Sequence, residues 1–493
     1  MSASPNPSVN LEKAPDMQKT PSEGAGEIVD GVDNNDSYIS PEDEKKLLRK
    51  LDLRLAPIFA MLYFLSYLNR SNIGNAAVAG MTTQLGMTSS QYSTSVSVFY
   101  ATYVGLIFPL VLALRKMQPH RAMTFMSFAW SIVTIGTAFV KTYRELLACR
   151  LLLGACEAGF FPCISLYMTM VYNRHEQGRR FAYLFSAMAI SGMFGGLIAT
   201  GITYIHEVGG LKSWSWLYII EGLISILVVP WVWFGLPSQP SVARFWSDRE
   251  LELMRRRELQ RREYMGEAPF DWAQVRSALL HWRTYVAALV QFFQDVVLYG
   301  FSTFLPSILK SGLGYTSLQA QYLSVPVYAL GGLTFFAASL VGDRYALRGS
   351  VLFGLNIFAI VGYLLILLVP ANGVKYFACY LISIPLYCGA GINETWIVNN
   401  SAPHYRRATA LGLSQAIGNL AGVVSGQVYR SAPYKLGHWF SFGCVVLAMI
   451  CIAIQIVYFR ALNRKKDLIA NGTIPDDRTE FDGENNLEFR YVY

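Results

Sequence analysis

The chain alternates long apolar runs with short polar ones at near-regular intervals. Runs of about twenty residues, enough to cross a hydrocarbon core as a helix, fall at 55–76, 93–113, 121–140, 145–171, 180–204, 215–236, 284–309, 321–341, 350–370, 375–399, 407–429 and 438–460. The pattern predicts twelve membrane-spanning helices in two groups of six. Between the groups, SDRELELMRRRELQRRE is too charged for lipid. Ser247 and Glu250 have capping-box spacing there, which predicts a surface helix that starts at that point and stops near Gly266. The expected organisation is a disordered tail and lead-in helix over 1–50, a six-helix bundle over 51–236 and a central loop over 237–283. A second bundle over 284–460 and a tail over 461–493 follow. Both tails have the composition of disordered chain.

Composition sharpens this to an all-α membrane protein. Hydrophobic residues make up 53% of the 493 and charged ones only 15%, where soluble domains devote about a quarter to charge. The seven cysteines are dispersed and form no CxxC pair. Cys149, Cys156 and Cys163 recur every seven residues, and small side chains packed between helices explain that spacing better than a metal does. No metal or other cofactor is expected. The six histidines are scattered with no HExxH, and no phosphate-binding loop is present, which argues against a membrane enzyme.

Charge sets the expected orientation. Twenty-eight Lys and Arg residues fall on the side that carries both ends and seven on the other, so the positive-inside rule places both termini in the cytosol. Attraction to the anionic inner leaflet accounts for the net charge of +8 without any nucleic-acid partner. No signal-peptide pattern precedes the first run. Glycosylation of Asn35 or Asn471, both in N-x-S/T patterns, would contradict this topology.

Charges within spans are costly and mark function by default. Six stand out: Arg70, Arg150, Glu157, Glu221, Asp295 and Glu394. Arg70 sits past the midplane of its span, and the small and apolar SNIGNAAVAGM that follows argues for an arginine facing a cavity rather than one reaching out to water. Arg150 and Glu157 lie seven residues apart, two turns along one helical face, too far to pair directly. They read as parts of a relay with partners on other helices, and a carboxyl that changes protonation state is what proton coupling requires. Glu221 reads as a tie between helices, and Asp295 as a mid-span coupling candidate. Glu394, with Asn393 and Trp396 in GAGINETWIVNN, offers a carboxyl, an amide and an indole to line a polar cavity. Gly154 with Ala158, and Gly192 with Gly196, have the small-xxx-small spacing that lets helices approach. Asp343, Arg344 and Arg348 in GDRYALRG could hold helix ends together in one conformation and release them in another; the corresponding LRKMQPHR has no acid.

These features resemble a known family. The two groups of six spans, the central surface helix, the GDRxxxRG-like loop and an RxxxG opening to the fourth span are similar to the major facilitator superfamily. More narrowly, YLNRSNIGNA, WLYIIEGL, FLPSIL followed by LGY, and GNLAG resemble the fungal allantoate permease family of anion:cation symporters over roughly 45–462. The resemblance implies a proton-coupled carrier of carboxylated nutrients such as allantoate, nicotinate or pantothenate, and the expected setting is a monomer in the plasma membrane. It also implies that Arg70 contacts the substrate carboxylate, that Tyr103 donates to it, that Glu157 carries the proton and that Arg150 is its electrostatic partner. Many relatives have Asp where this chain has Asn69. An amide hydrogen-bonds but does not titrate, so one proton per monovalent anion, or weaker coupling, is expected unless Asp295 or Glu394 substitutes. The rival expectations are an exporter or facilitator of neutral or aromatic molecules and a nutrient sensor that does not transport.

Overall fold

The structure is a computed structural model that describes residues 39–493 apart from 115–116, 173, 204, 206–207, 240–242, 244, 266–271, 403, 477–482 and 488. Its first helix, α1 (Pro41–Val78), is 38 residues long, about 57 Å at 1.5 Å per residue. It therefore contains both the lead-in and the first span. Ser40 caps it by accepting from the Asp43 N–H at 3.2 Å, Pro41 opens it, and Glu42, Asp43 and Glu44 complement the positive end of its dipole. The short α2 (Met81–Gln84) leads into α3 (Ser89–Leu114), α4 (Pro119–Thr137), α5 (Tyr143–Glu157), α6 (Phe160–Val171), α7 (Arg174–Thr203) and α8 (Ser213–Gly235). The linker carries α9 (Asp248–Met265) and α10 (Trp272–Leu280). The second half is α11 (Trp282–Ser307), α12 (Ser317–Tyr345), α13 (Arg348–Leu368), α14 (Asn372–Ser383), α15 (Cys388–Asn399), α16 (His404–Val428) and α17 (Lys435–Ala470). Among the described residues the one β-bridge joins Val208 and Leu211.

Nine helical stretches among the described residues are long and apolar enough to cross a membrane. The helices α3, α4 and α16, of 26, 19 and 25 residues, complete the twelve. Large apolar side chains point outward along them, with Leu227, Phe234, Leu333 and Val457 all more than half exposed, as lipid contact demands. The interior holds buried polar residues instead, among them Asn69, Arg150, Glu157, Glu221, Asp295 and Asn393. Helix α11 is buried nearly all round from Val290 to Ser307, the mark of a central helix.

The linker helix lies where the capping box predicts. The Ser247 N–H donates to Glu250 at 2.8 Å, and α9 ends at Met265. Lys50 pairs with Glu250 at 2.5 Å and Arg257 pairs with Glu176, so α9 is tied to the starts of α1 and α7. The Lys50 ammonium holds the Glu250 carboxyl below its ordinary range, with help from the Ser247 N–H. These contacts define the basic face of the molecule. Arg180 adds a forked pair with Asp52 at 2.7 and 2.9 Å on that face.

At the opposite, far face the two halves meet closely. A Cβ on Gly422 or Gly426 of α16 would collide with the Tyr100 ring or the Ser97 hydroxyl of α3, so only glycine allows this approach. Ser97 Oγ donates to the Val423 carbonyl at 2.9 Å, and Lys310 Nζ donates to the Val78 carbonyl at 2.9 Å. Gly196 of α7 packs against Ser324 and Val325 of α12, and Gly154 of α5 against Phe99 and Thr102 of α3, in keeping with their spacing. Cys163 donates to the Pro119 carbonyl at 3.3 Å and acts as a packing residue.

Two departures concern the ends and the breaks. The tail read as disordered from 461 onward begins as helix through Ala470, and residues 489–493 dock against the helix bundle. The apolar runs 145–171 and 375–399 are each broken, by Ala158–Gly159 and by 384–387. Glycine in the first break and Pro385 in the second explain the interruptions.

Candidate functional site

Arg70 on α1 reaches across to Glu157 on α5, with Nε donating to Oε2 at 2.9 Å. Ser66, one turn earlier on the same face of α1, donates to the same oxygen at 2.9 Å. Glu157 is fully buried, and the Arg70 side chain is only 10% exposed. The guanidinium lies over the Tyr103 ring at 4.6 Å and the Phe99 ring at 5.3 Å, both from α3, so the cation is held by a carboxylate on one side and by aromatic faces on another. Arg150, two turns before Glu157, does not reach it by hydrogen bond. Its guanidinium also lies over the Phe99 ring, at 5.0 Å, while Nε donates to the Ser95 carbonyl at 3.3 Å.

Several buried atoms around this pair have no hydrogen-bond partner: Arg150 Nη1, Glu157 Oε1 and both amide atoms of Asn69. Orphaned buried polar atoms are costly in a finished core, so their concentration here marks a place built to meet polar atoms of something else. Glu157 is also the last residue of α5, next to the Ala158–Gly159 break, and 384–387 interrupts the equivalent fourth span of the second half. Interruptions at corresponding positions of two halves are a strong pointer to a binding site.

The second half contributes from across the interface. Gln291 Nε2 donates to both Asp295 oxygens at 3.1 Å, and Asn393 Nδ2 donates to Gln291 Oε1 at 2.8 Å. An amide chain thus joins α15 to the Asp295 carboxylate on α11. Tyr299 donates to Asn419 at 3.0 Å and its ring lies 4.7 Å from that of Tyr100. Among the described residues no group of three His, Cys, Asp or Glu side chains is placed to hold a metal ion.

The Major Facilitator Superfamily profile matches residues 59–426, three-quarters of the chain. The chain belongs to this superfamily. An uncharacterized transporter of Schizosaccharomyces pombe is 52% identical over 93% of the chain and 95% of its own length. The high-affinity nicotinic acid transporter of Saccharomyces cerevisiae is 36% identical over 95% of the chain and 89% of its own length. Among solved structures, a bacterial homolog of the human lysosomal transporter Spinster, inward-facing and unoccupied, matches with a TM-score of 0.62 at 15% identity, covering 84% of this chain and 96% of that one. A D-xylose–proton symporter matches at 0.63 and 12% identity, covering 81% and 97%. The major facilitator fold of twelve spans is therefore shared, and the protein is a membrane-embedded transporter rather than an enzyme.

Within that fold the sequence-derived residues divide. Arg70, Asn69, Tyr103, Glu157 and Arg150 belong to the first half, where Arg70 meets Glu157 and Tyr103, and in the second half Gln291 joins Asp295 to Asn393, the neighbour of Glu394 on α15. Trp396, expected to line the cavity, sits elsewhere. One turn beyond Asn393 toward the basic face, its indole N–H donates to the Val492 carbonyl at 2.7 Å and its ring packs on Gly349. The neighbour of Arg70 in the chain, Asn69, carries no charge, and its counter-charge comes from another helix, from Glu157 of α5. Of the gating residues, Arg344 is exposed with its guanidinium 5.8 Å from the Tyr345 ring, and Arg348 opens α13. The Asp343 side chain lies outside the described residues.

Glu221 is fully buried and accepts from Asn72 of α1, which makes it a tie between α8 and α1. Replacing Asn72 by alanine strands that carboxyl; a loss of about 1–3 kcal/mol is expected, read as a lower thermal midpoint in detergent with Arg70-dependent binding preserved.

The residues that sequence reasoning missed are Ser66, Phe99, Gln291 and the far-face glycines. Ser66 precedes Arg70 by four residues, and Gly422 and Gly426 are four apart, so spacing held a signal for both. Phe99 and Gln291 had none, since only their helix neighbours distinguish them from other span residues.

Proposed function

We propose that this transporter imports a small organic anion, a vitamin-like carboxylate of the nicotinate kind, together with a proton. It would do so across the plasma membrane by alternating access, with 51–236 and 284–460 as the moving halves and both termini cytosolic. The observation that carries the reading is the buried Arg70–Glu157 pair. One guanidinium then faces two carboxylates, and keeping both deprotonated would leave a net negative charge buried. Deprotonated Glu157 holds Arg70 through the 2.9 Å contact; protonated Glu157 lets go and leaves Arg70 for the anion. Anion and proton are thereby obliged to travel together, and the site is electrically balanced when both are aboard, which lowers the cost of closing it. The aromatic surround of Tyr63, Tyr100, Tyr103 and Tyr299 suits a flat ring on the carboxylate. The nicotinic acid transporter among the relatives points to the same chemistry.

Asn69 is proposed to line the cavity beside Arg70, and Asn393, Asp295 and Glu394 to shape and polarise its other side, with Arg150 stabilising the charged form of Glu157 from two turns away. Asp343, Arg344 and Arg348 are proposed to fasten helix ends at the basic face. A single titrating carboxyl beside Arg70 gives one proton per monovalent anion.

Arg70→Lys keeps the charge but loses the planar fork. Losing one charged hydrogen bond costs about 1.5–3 kcal/mol, so the nicotinate concentration for half-maximal uptake should rise about tenfold to a hundredfold. Unchanged affinity would remove the carboxylate contact from the mechanism. Nicotinamide, which lacks the carboxylate, should not compete.

A further inference from the structure

Glu484 is nearly fully buried at the basic face of the second half, although it lies in the tail. Its carboxylate accepts from Arg283 at the start of α11 at 2.9 Å, from the Ala402 N–H at 3.1 Å and from the Tyr491 hydroxyl at 3.2 Å, with Arg406 of α16 at 3.7 Å. Lys466 of α17 donates to three tail carbonyls, those of Glu484, Asn486 and Phe489, at 2.6–2.8 Å. The last residues pair like a short strand with side chains: Asn463 with both backbone groups of Tyr491, and Asn400 with both backbone groups of Val492. The Tyr491 ring stacks on Phe459 at 5.2 Å and 11°. Surface tails do not carry such a set of buried, reciprocated bonds without consequence for what they hold.

What they hold is specific. Asn400 ends α15, the half-helix that the 384–387 interruption separates from α14. Asn393 and Glu394 ride on that half-helix. Arg283 begins the helix of Asp295, and Arg406 begins the helix of Gly422. We propose that residues 483–493, where described, form an intramolecular strap that pins the basic-face ends of α11, α15 and α16, favours the conformation seen here, and slows the transporter's turnover until it lets go. With the far face closed by α3 and α16, alternating access would next bring these ends toward the first half, and α15 would hinge at 384–387 only once Asn400 is free of Val492. His281, beside Arg283 and Arg406, is pushed by burial and by those cations down to about 4. It is neutral near pH 7 and accepts from the Arg283 N–H at 3.3 Å, so it adds no charge to the strap's seat.

The test needs no knowledge of the substrate. Spin labels at Leu53→Cys and Tyr345→Cys, exposed positions on opposite halves at the basic face, report the separation of the halves by double electron–electron resonance. The wild-type chain labelled in parallel gives the background of its seven cysteines. Glu484→Lys, which repels Arg283 and Arg406, should add a shorter distance that grows at least threefold in population, and a label at Asn486→Cys should become mobile. In a second, independent arm, Asn400→Cys and Val492→Cys joined by a short thiol cross-linker should cut the rate of nicotinate exchange at least fivefold, with recovery on reduction. A mobile tail with an unchanged distance distribution overturns the strap, as does full exchange by the cross-linked protein. If nicotinate is not carried at all, the distance measurement still decides this proposal while the substrate assignment fails alone.

Discussion

Replacing Glu157 by glutamine should abolish uphill accumulation driven by a pH gradient while leaving exchange of anion for anion intact. Glutamine cannot carry the proton, and it cannot hold Arg70 as a charged partner. The freed guanidinium is a buried, unpaired cation, a condition that costs about 3–5 kcal/mol, and an incoming carboxylate relieves it. Anion affinity should therefore rise, by about tenfold or more. The sign of the pH effect follows from the same competition. In the wild type, deprotonating Glu157 returns it to Arg70 and expels the anion, so binding weakens as pH rises. In Glu157→Gln binding should not depend on pH near neutrality. Measuring nicotinate binding and exchange across pH in both proteins checks all three outcomes. Proton-driven accumulation that survives while exchange is lost would reverse the roles given to the pair.

Gly422→Leu should stop transport by a different route. A Cβ at this position already meets the Tyr100 ring, and a branched side chain forces α16 away from α3 at the far face. Overpacking of this kind costs about 1–3 kcal/mol, and at the upper end that lowers the population of the sealed state about a hundredfold. Nicotinate exchange should fall in proportion, with the site left open to the far side and reactive there to a membrane-impermeant thiol reagent at an introduced Ser93→Cys. Removing the obstacle with Tyr100→Ala in the same chain should restore part of the exchange. Rescue separates a steric block from a folding failure, and full activity in Gly422→Leu alone would show that the far face need not close this tightly.

Most of the architecture was legible because lipid imposes a simple rule on sequence. Twenty-residue apolar runs, the charge imbalance between loops and the Ser247–Glu250 cap each report local physics. The runs and the cap appear in the structure at their expected places. The breaks inside 145–171 and 375–399 were harder to see. Apolar composition continues across them, and a hydropathy pattern does not distinguish a continuous helix from one interrupted at Gly159 or Pro385.

The candidate site was legible where cost marks it. A charge in a span needs a reason, so Arg70, Glu157, Arg150, Asp295 and Glu394 stood out. Which charge meets which depends on helix neighbours, and sequence spacing along one helix is silent on that. Asn69 suggests an unpaired Arg70 only to an eye that looks next door in the chain, whereas Glu157 reaches it from another helix. Trp396 shows the opposite error. It lies three residues from Asn393, close enough to suggest one cavity, but one helical turn carries its indole to the seat of the C-terminal segment. That segment reads as polar and tail-like by composition, and its order comes from partners far away in sequence: Arg283, Asn400, Asn463 and Lys466.

Passage of a carboxylate and a proton together through the Arg70–Glu157 pair is tested most directly by uptake into liposomes. Purified protein in vesicles, acidic outside and clamped at zero membrane potential, should accumulate labelled nicotinate above its external concentration, lose that accumulation when the pH gradient is collapsed, and respond little when only the potential is changed. Equilibration of nicotinate without accumulation under an imposed pH gradient would contradict the coupling.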